Sequence, residues 1–181
     1  TSISLNLAGT CHRTAPSVSI AAPAVRTIAT AKVSTADNTI TITGHGMLTG
    51  TKLTYQDGSG TALAGLTDNT AYFVVVIDAN TIKLAANLTN AQAGSPTTIG
   101  LTGTGNNAQT LEGDTATASA TVSAAGKVTG VSITAVGSDY QSVPAVTIAA
   151  PATETLDLTD TSVAILADDE IVVASAFYSK I

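Results

Sequence analysis

The chain has 181 residues, 44% of them hydrophobic but only 3% aromatic and 11% charged, with a formal net charge of −6. Seven basic residues are scattered without a cluster, which excludes the phosphate-neutralising surface of a nucleic-acid binder. A single cysteine excludes an internal disulfide and a multi-thiol metal site. No run approaches the roughly 18 apolar residues of a membrane helix. The polarity comes mainly from Thr and Ser, and with Val and Ile these favour strands, because β-branched side chains fit a pleated surface.

Period-two alternation runs along almost the whole chain. SISLNL near the N-terminus reads as a strand, and TSISLNLAG carries no secretory pattern, so a start at Thr1 is expected to follow simple removal of an initiator Met. Next comes TCHRTAP, where Cys11, His12 and Arg13 form the densest group of reactive side chains. Adjacent residues on a strand point to opposite faces, so a Cys–His nucleophile pair is not expected there. A subunit contact, with Arg13 pairing a carboxylate, is the expectation. PSVSIAAP at 16–23 follows, then AVRTIATAKVST, which reads as the opening strand of a β-unit.

From residue 36 the texture changes. NTITIT, TKLTY, AYFVVV and NTIKLA alternate between turns at GHG (44–46), DGSG (57–60), TDNT (67–70) and DAN (78–80). LTNAQAG (88–94) is the only plausible helical turn and reads as a loop. His45 has no nucleophile or orienting partner nearby and reads as a turn residue. Asp57 and Asp78 are isolated at turns and lack the spaced oxygen set of a calcium loop. TGTGNN (102–107) is Gly-rich but lacks the Lys and helix of a phosphate loop.

From residue 113 the first texture returns. TASATVS, the AAGK turn, GVSITAV, the GSDY corner and AVTIA read as strand, turn, strand, corner, strand. PAVTIAAP at 144–151 repeats PSVSIAAP with six of eight letters identical, 128 positions later. This predicts two equivalent strands, neighbours in one sheet. The expected fold is all-β, with strand-like terminal arms: either small sandwich or barrel modules, one inserted in another, or one continuous sandwich with two pseudo-equivalent strands. Residues 1–35 and 113–151 are assigned to a discontinuous outer module, 36–112 to the inserted one, and 152–181 to a C-terminal strand or arm. That arm holds the only acidic cluster, Asp168, Asp169 and Glu170, and the apolar IVVASAFY with Phe177 and Tyr178. These five residues are candidate partner contacts beside Cys11, His12 and Arg13. No catalytic, cofactor or metal site is expected, since GxSxG and HExxH are missing and no paired Glu stands in a cleft-like context.

Two stretches carry a resemblance. In 125–151, Gly137, Tyr140, Pro144, Val146 and Ile148 fit a pattern V-x-x-[IV]-x-[IV]-x-x-x-G-x-G-Y followed by P-x-V-x-[IF]. Asp139 stands where that pattern has Gly. In 37–94, His45, Gly46, Gly50, Leu66, Tyr72, Val74, Asp78, Asn80, Thr81, Ile82, Lys83, Leu84, Ala85 and Gly94 fit a pattern of H-G-[FL]-x-[TS]-G, then G-L-x-[DN]-x-T-x-Y-[FY]-V, then D-x-[ND]-T-[IF]-[KR]-L-A, ending in A-x-x-G. The first pattern resembles a β-module of tailed-bacteriophage virion proteins, and the second resembles a repeat of phage and bacterial surface proteins. The resemblance implies a non-enzymatic structural protein on the exterior of the particle, made in the host cytoplasm. Within that class a capsid decoration or cement protein, probing the major capsid protein or other virion proteins as partners and assembling as a trimer, is the first expectation. A tail, neck or head-fibre appendage binding host glycans is the alternative; an exposed aromatic platform at Tyr55, Tyr72 or Tyr140 would favour it.

Overall fold

A computed structural model describes residues 12–151 of the chain. SISLNL, Cys11 and everything after Pro151, including Asp168, Asp169, Glu170, Phe177 and Tyr178, lie outside the described residues. The fold is all-β, as expected. Its largest part is an antiparallel sheet of seven strands: β2 (Arg26–Thr27), β3 (Val33–Ser34), β4 (Thr39–Thr41), β5 (Lys52–Gln56), β6 (Thr70–Asp78), β7 (Thr81–Ala85) and β8 (Thr110–Glu112). Their spatial order is β2-β8-β5-β6-β7-β4-β3.

The connectivity forces this sheet to curl. β2 and β3 are opposite edges of the sheet, yet they are consecutive in the chain. Laid flat, seven strands spaced about 4.8 Å apart would put the edges roughly 29 Å from each other. The six steps from Thr27 to Val33 span at most about 22 Å fully extended, and a 3-10 turn at Thr30–Lys32 shortens them further. The edges therefore approach, and one face is wrapped inside. Alternate residues of each strand fill that inside: Ile40, Leu53, Tyr55, Tyr72, Val74, Ile82, Leu84 and Leu111. Loop residues Met47, Leu63, Leu66 and Leu101 close it.

A buried polar chain runs through this core. The Tyr55 hydroxyl accepts from the Leu63 N–H at 2.7 Å and donates to Gln109 Oε1 at 2.9 Å. Gln109, itself fully buried, donates onward to the Thr104 carbonyl at 2.9 Å. One phenol thus pins two loops over the open end of the sheet, and every group in the chain has a partner.

On the outer face Phe73, Val75 and Ala85 form a small second cluster with Ala91. Ala91 belongs to α1 (Leu88–Gln92), so LTNAQAG is a helical turn rather than a loop. The physical reason is local: Asn87 caps it, its Oδ1 accepting from the Asn90 N–H at 2.8 Å. Residues of β2 and β3, which the sequence reading places in the outer module, also hydrogen-bond into this sheet. The 3-10 turn breaks AVRTIATAKVST into two short strands, and their alternation carries no mark of which sheet they join.

The remaining strands are β1 (Val18–Ile20), β9 (Thr117–Val122), β10 (Val128–Ala135) and β11 (Val146–Ile148). β9 and β10 form a two-stranded hairpin around AAGK, β1 and β11 form a second two-stranded ladder, and an isolated bridge between Ser17 and Ser119 ties β1 to β9, joining the two ladders into one small sheet. The two copies of the repeated octapeptide are β1 and β11, and they pair with each other. Val18 faces Ile148, Ser19 faces Thr147 and Ile20 faces Val146. Ala21 N–H donates to the Ala145 carbonyl and Ala149 N–H to the Ser17 carbonyl, both at 2.9 Å. Ala21 and Ala149 are equivalent positions of the two copies, as are Ser17 and Ala145, so the pair has a local twofold axis between Ser19 and Thr147.

Burial raises the Tyr55 phenol above its ordinary value of 10.0, helped by the Asp57 and Asp68 carboxylates and opposed by the Leu63 N–H. The neutral form is then favoured in the folded state. Its stabilising contribution is complete below about pH 10 and is lost as pH rises through the folded value. Tyr55→Phe is expected to cost about 1–3 kcal/mol at neutral pH, by orphaning Leu63 N–H and Gln109. It should also make the fall in stability above about pH 10 shallower than in the wild type, as read by urea midpoints across that range.

Candidate functional site

The corner Gly137–Gln141 joins the small sheet to the large one, and nearly every side chain in it has a task. Ser138 Oγ donates to the Lys52 carbonyl of β5 at 2.7 Å and accepts from the Asp114 N–H at 2.8 Å. Asp139 receives Arg26 of β2 through both carboxylate oxygens, Nε to Oδ2 at 2.9 Å and Nη2 to Oδ1 at 3.2 Å. Gln141 Nε2 adds a third donor to Oδ1 at 2.8 Å. The Asp139 side chain is fully buried and that of Arg26 is 15% exposed. Tyr140 Oη donates to the Ala21 carbonyl at 3.0 Å and accepts from Ala116 N–H at 2.9 Å, so it ties the end of β1 to the start of β9.

The backbone there is left-handed at Gly137 (φ 67°) and Asp139 (φ 58°). A Cβ at Gly137 would lie 2.4 Å from the Asp114 carbonyl oxygen, so glycine is required by space as well as by φ. Asp139 stands where the sequence pattern of residues 125–151 has Gly, and its contacts show what the carboxylate does there. Asp tolerates the left-handed turn, and its carboxylate makes the bidentate contact with Arg26 that glycine cannot. The nearby Lys52–Asp114 pair, at 2.8 Å with both side chains 43% exposed, adds little beside it.

Beside this corner lies a hollow of about 100 Å³, lined by Ala22, Pro23, Ala24, Tyr140, Ser142 and Pro144 among others. It is well below the roughly 300 Å³ at which small-molecule sites begin. Among the described residues no group of three or more His, Cys, Asp or Glu could hold a metal ion, and no helix is long and apolar enough to cross a membrane.

Of the sequence-predicted contact residues, two fall within the described part. His12 is buried and its N–H donates to the Gly126 carbonyl at 2.9 Å, which seats it on the β9–β10 turn. Arg13 is exposed. The two neighbours thus differ in environment, His12 lying inside and Arg13 in a bend at the surface. His45 is a turn residue held from both ring nitrogens. The Met47 N–H donates to Nδ1 at 3.0 Å, so Nε2 carries the proton and donates to the Asp78 carbonyl at 2.9 Å. Asp57 and Asp78 each accept a backbone N–H two residues on, from Ser59 and Asn80. The tyrosines do not form an outward platform among the described residues. Tyr55 and Tyr72 are buried, and the hydroxyls of Tyr55, Tyr72 and Tyr140 all bond to backbone groups.

What the surface does offer is apolar. Val136, Val143 and Val146 are exposed on or next to the small sheet, Val143 at 95%, and Val25 is exposed just before β2. Leu48, Ile77 and Leu88 are exposed around the HGMLTG loop of the large one. Residues 142–151 contain no charged side chain. Sequence reasoning missed the Arg26–Asp139 pair. Its only signal was the departure from Gly at position 139, since the partner lies 113 residues away.

No family model, curated protein or solved structure matches the chain.

Replacing Asp139 by Gly keeps the turn geometry but strands Arg26. The expected loss is about 3–5 kcal/mol, the usual cost of breaking a buried pair from one side. Asp139→Asn, which keeps both the turn and one hydrogen-bond acceptor, should lose distinctly less. Urea unfolding of the two variants tests this; equal stabilities for Gly, Asn and wild type would show that the carboxylate contributes nothing.

Proposed function

We propose that the chain is a non-enzymatic structural protein of a tailed-phage particle, a decoration or cement protein that binds the outside of the major capsid lattice and assembles as a homotrimer. The observation that carries this reading is the surface of the small sheet. It presents exposed valines and a strand edge with no charge over ten residues, in the segment that bears the phage-type motif. Soluble sheets ordinarily guard such edges with charge. An unguarded one is suited to burial against another chain, through main-chain hydrogen bonds and small apolar side chains. Each contact of this kind is weak. Repetition over a lattice converts weak contacts into stable attachment, because every further engagement is intramolecular.

The described tyrosines are committed to holding loops, which weighs against the glycan-binding appendage. The hydrogen-bonded His45, Asp57 and Asp78 likewise serve turns rather than chemistry.

The test is to mix the purified full-length chain with undecorated capsids built from the major capsid protein encoded alongside it, then sediment them. Saturable loading at a fixed ratio to capsid subunits, from a species whose mass by light scattering is a multiple of three chains, is the expected result. A chain that ignores capsids and binds host cells or their polysaccharide would move the assignment to the appendage.

A further inference from the structure

We infer that the outer edge of β11 is a self-recognition site, taken up by β11 of a second copy of this chain in an antiparallel, twofold pair centred on Thr147. This goes beyond the capsid reading and does not depend on it.

The first support is orientation. The hydrogen bonds from Ala21 to Ala145 and from Ala149 to Ser17 show which residues of β11 face β1. Pairing alternates along an antiparallel strand, so the main-chain groups of Val146 and Ile148 point the other way. Among the described residues β11 pairs with β1 alone.

The second support identifies the occupant. An open edge alone says nothing about what covers it, but this edge has a sequence the molecule already pairs with. β1 is a near-copy of β11, and the two align about a twofold axis with Val opposite Ile on both sides of the centre. The P-x-V-x-I-A-A-P strand is therefore complementary to itself in antiparallel register. The partner that reproduces this complementarity on the outer edge is a second β11. Val146 would face Ile148 of the second copy, and Thr147 would face its counterpart, so the axis seen within the chain recurs between chains. Such an isologous contact closes on itself and does not propagate.

The third support is what the pairing buries. Val18, Val146, Ile20 and Ile148 share one face of the β1–β11 pair, by the period of two. Val146 is still 39% exposed there. A second copy would extend this aliphatic row across the axis and cover it. Pro144 and Pro151 flank the strand and limit the ladder to the residues between them, because proline gives no N–H. The edge carries no charge to repel its own copy.

Thr147 is exposed and, in the inferred pair, occupies a non-hydrogen-bonded position, where opposed Cα atoms lie about 4.5 Å apart and a disulfide can close. The experiment uses the full chain with Cys11→Ser and a new cysteine, Thr147→Cys, against a control, Thr134→Cys, on the exposed part of β10. Under mild oxidation at micromolar protein the 147 variant should form a covalent dimer at least about tenfold faster than the control, since its thiols are already held together. In parallel, Val146→Lys should halve the assembled mass by light scattering while the thermal midpoint of the chain is kept. Cross-linking no faster than the control overturns the inference. So does an unchanged mass for Val146→Lys. A thiol at 147 shielded from both cross-linking and maleimide would mean that another segment of the same chain holds the edge, and also overturns it. Capsid loading can survive any of these outcomes, so the two readings fail separately.

Discussion

The Arg26–Asp139 pair is the contact on which the arrangement of the two sheets rests. Arg26 stands on the edge strand of the large sheet, and Asp139 stands on the corner that feeds the small one. An ion pair at this depth is not stabilising by its charge alone, because desolvation offsets most of the attraction. Its value lies in geometry. A planar guanidinium meets both carboxylate oxygens in one orientation only. The neighbouring contacts then follow: with Asp139 fixed, Ser138 reaches the β5 backbone and Tyr140 reaches the ends of β1 and β9. Replacing the pattern's glycine by Asp thus converts a flexible corner into a latch.

The pairing of β1 with β11 raises a question of order. These strands lie 128 residues apart, and closing a loop of that length costs about 4 kcal/mol in chain entropy before any contact is gained. The inserted sheet shortens the loop. Once Arg26 pairs with Leu111 across β2 and β8, the free chain between the repeats falls to roughly a third of its length, which recovers about 1 kcal/mol. The β9–β10 hairpin, a local structure around its own turn, shortens it again. The large sheet and the hairpin can therefore form first and deliver the two repeats to each other. The same sequence at both ends of the path gives the last strand a complementary place to land.

Much of this was legible from residue pattern. Alternation located β1, β4 to β7 and β9 to β11, and the octapeptide repeat foretold that β1 and β11 would be neighbours. The reading of His45, Asp57 and Asp78 as turn residues needed only the absence of partners at catalytic or metal spacing. The misses have a common cause. β2, β3 and β8 are short segments whose identity comes from the sheet they complete and not from their own alternation. Which sheet β2 and β3 join depends on where Arg26 and Val33 find hydrogen bonds. α1 was hidden because one capping asparagine, not a hydrophobic period, sustains it. The latch was invisible because nothing local to Asp139 names Arg26.

The two kinds of edge in this molecule are treated differently, and the contrast carries functional meaning. The edges of the large sheet are β2 and β3. The curl brings them toward each other, Arg26 and the exposed Lys32 stand beside them, and Asp37 takes the Ser34 hydroxyl at the end of β3. Closure and charge are two standard defences against unwanted strand pairing. Among the described residues the β11 edge has neither. A chain with so few charged residues has still placed several of them at one pair of edges, while leaving ten consecutive residues around β11 uncharged. If general solubility were the only demand, the smaller and less covered sheet would need protection more than the curled one. The distribution is the reverse, which fits an edge kept open for a strand that belongs there.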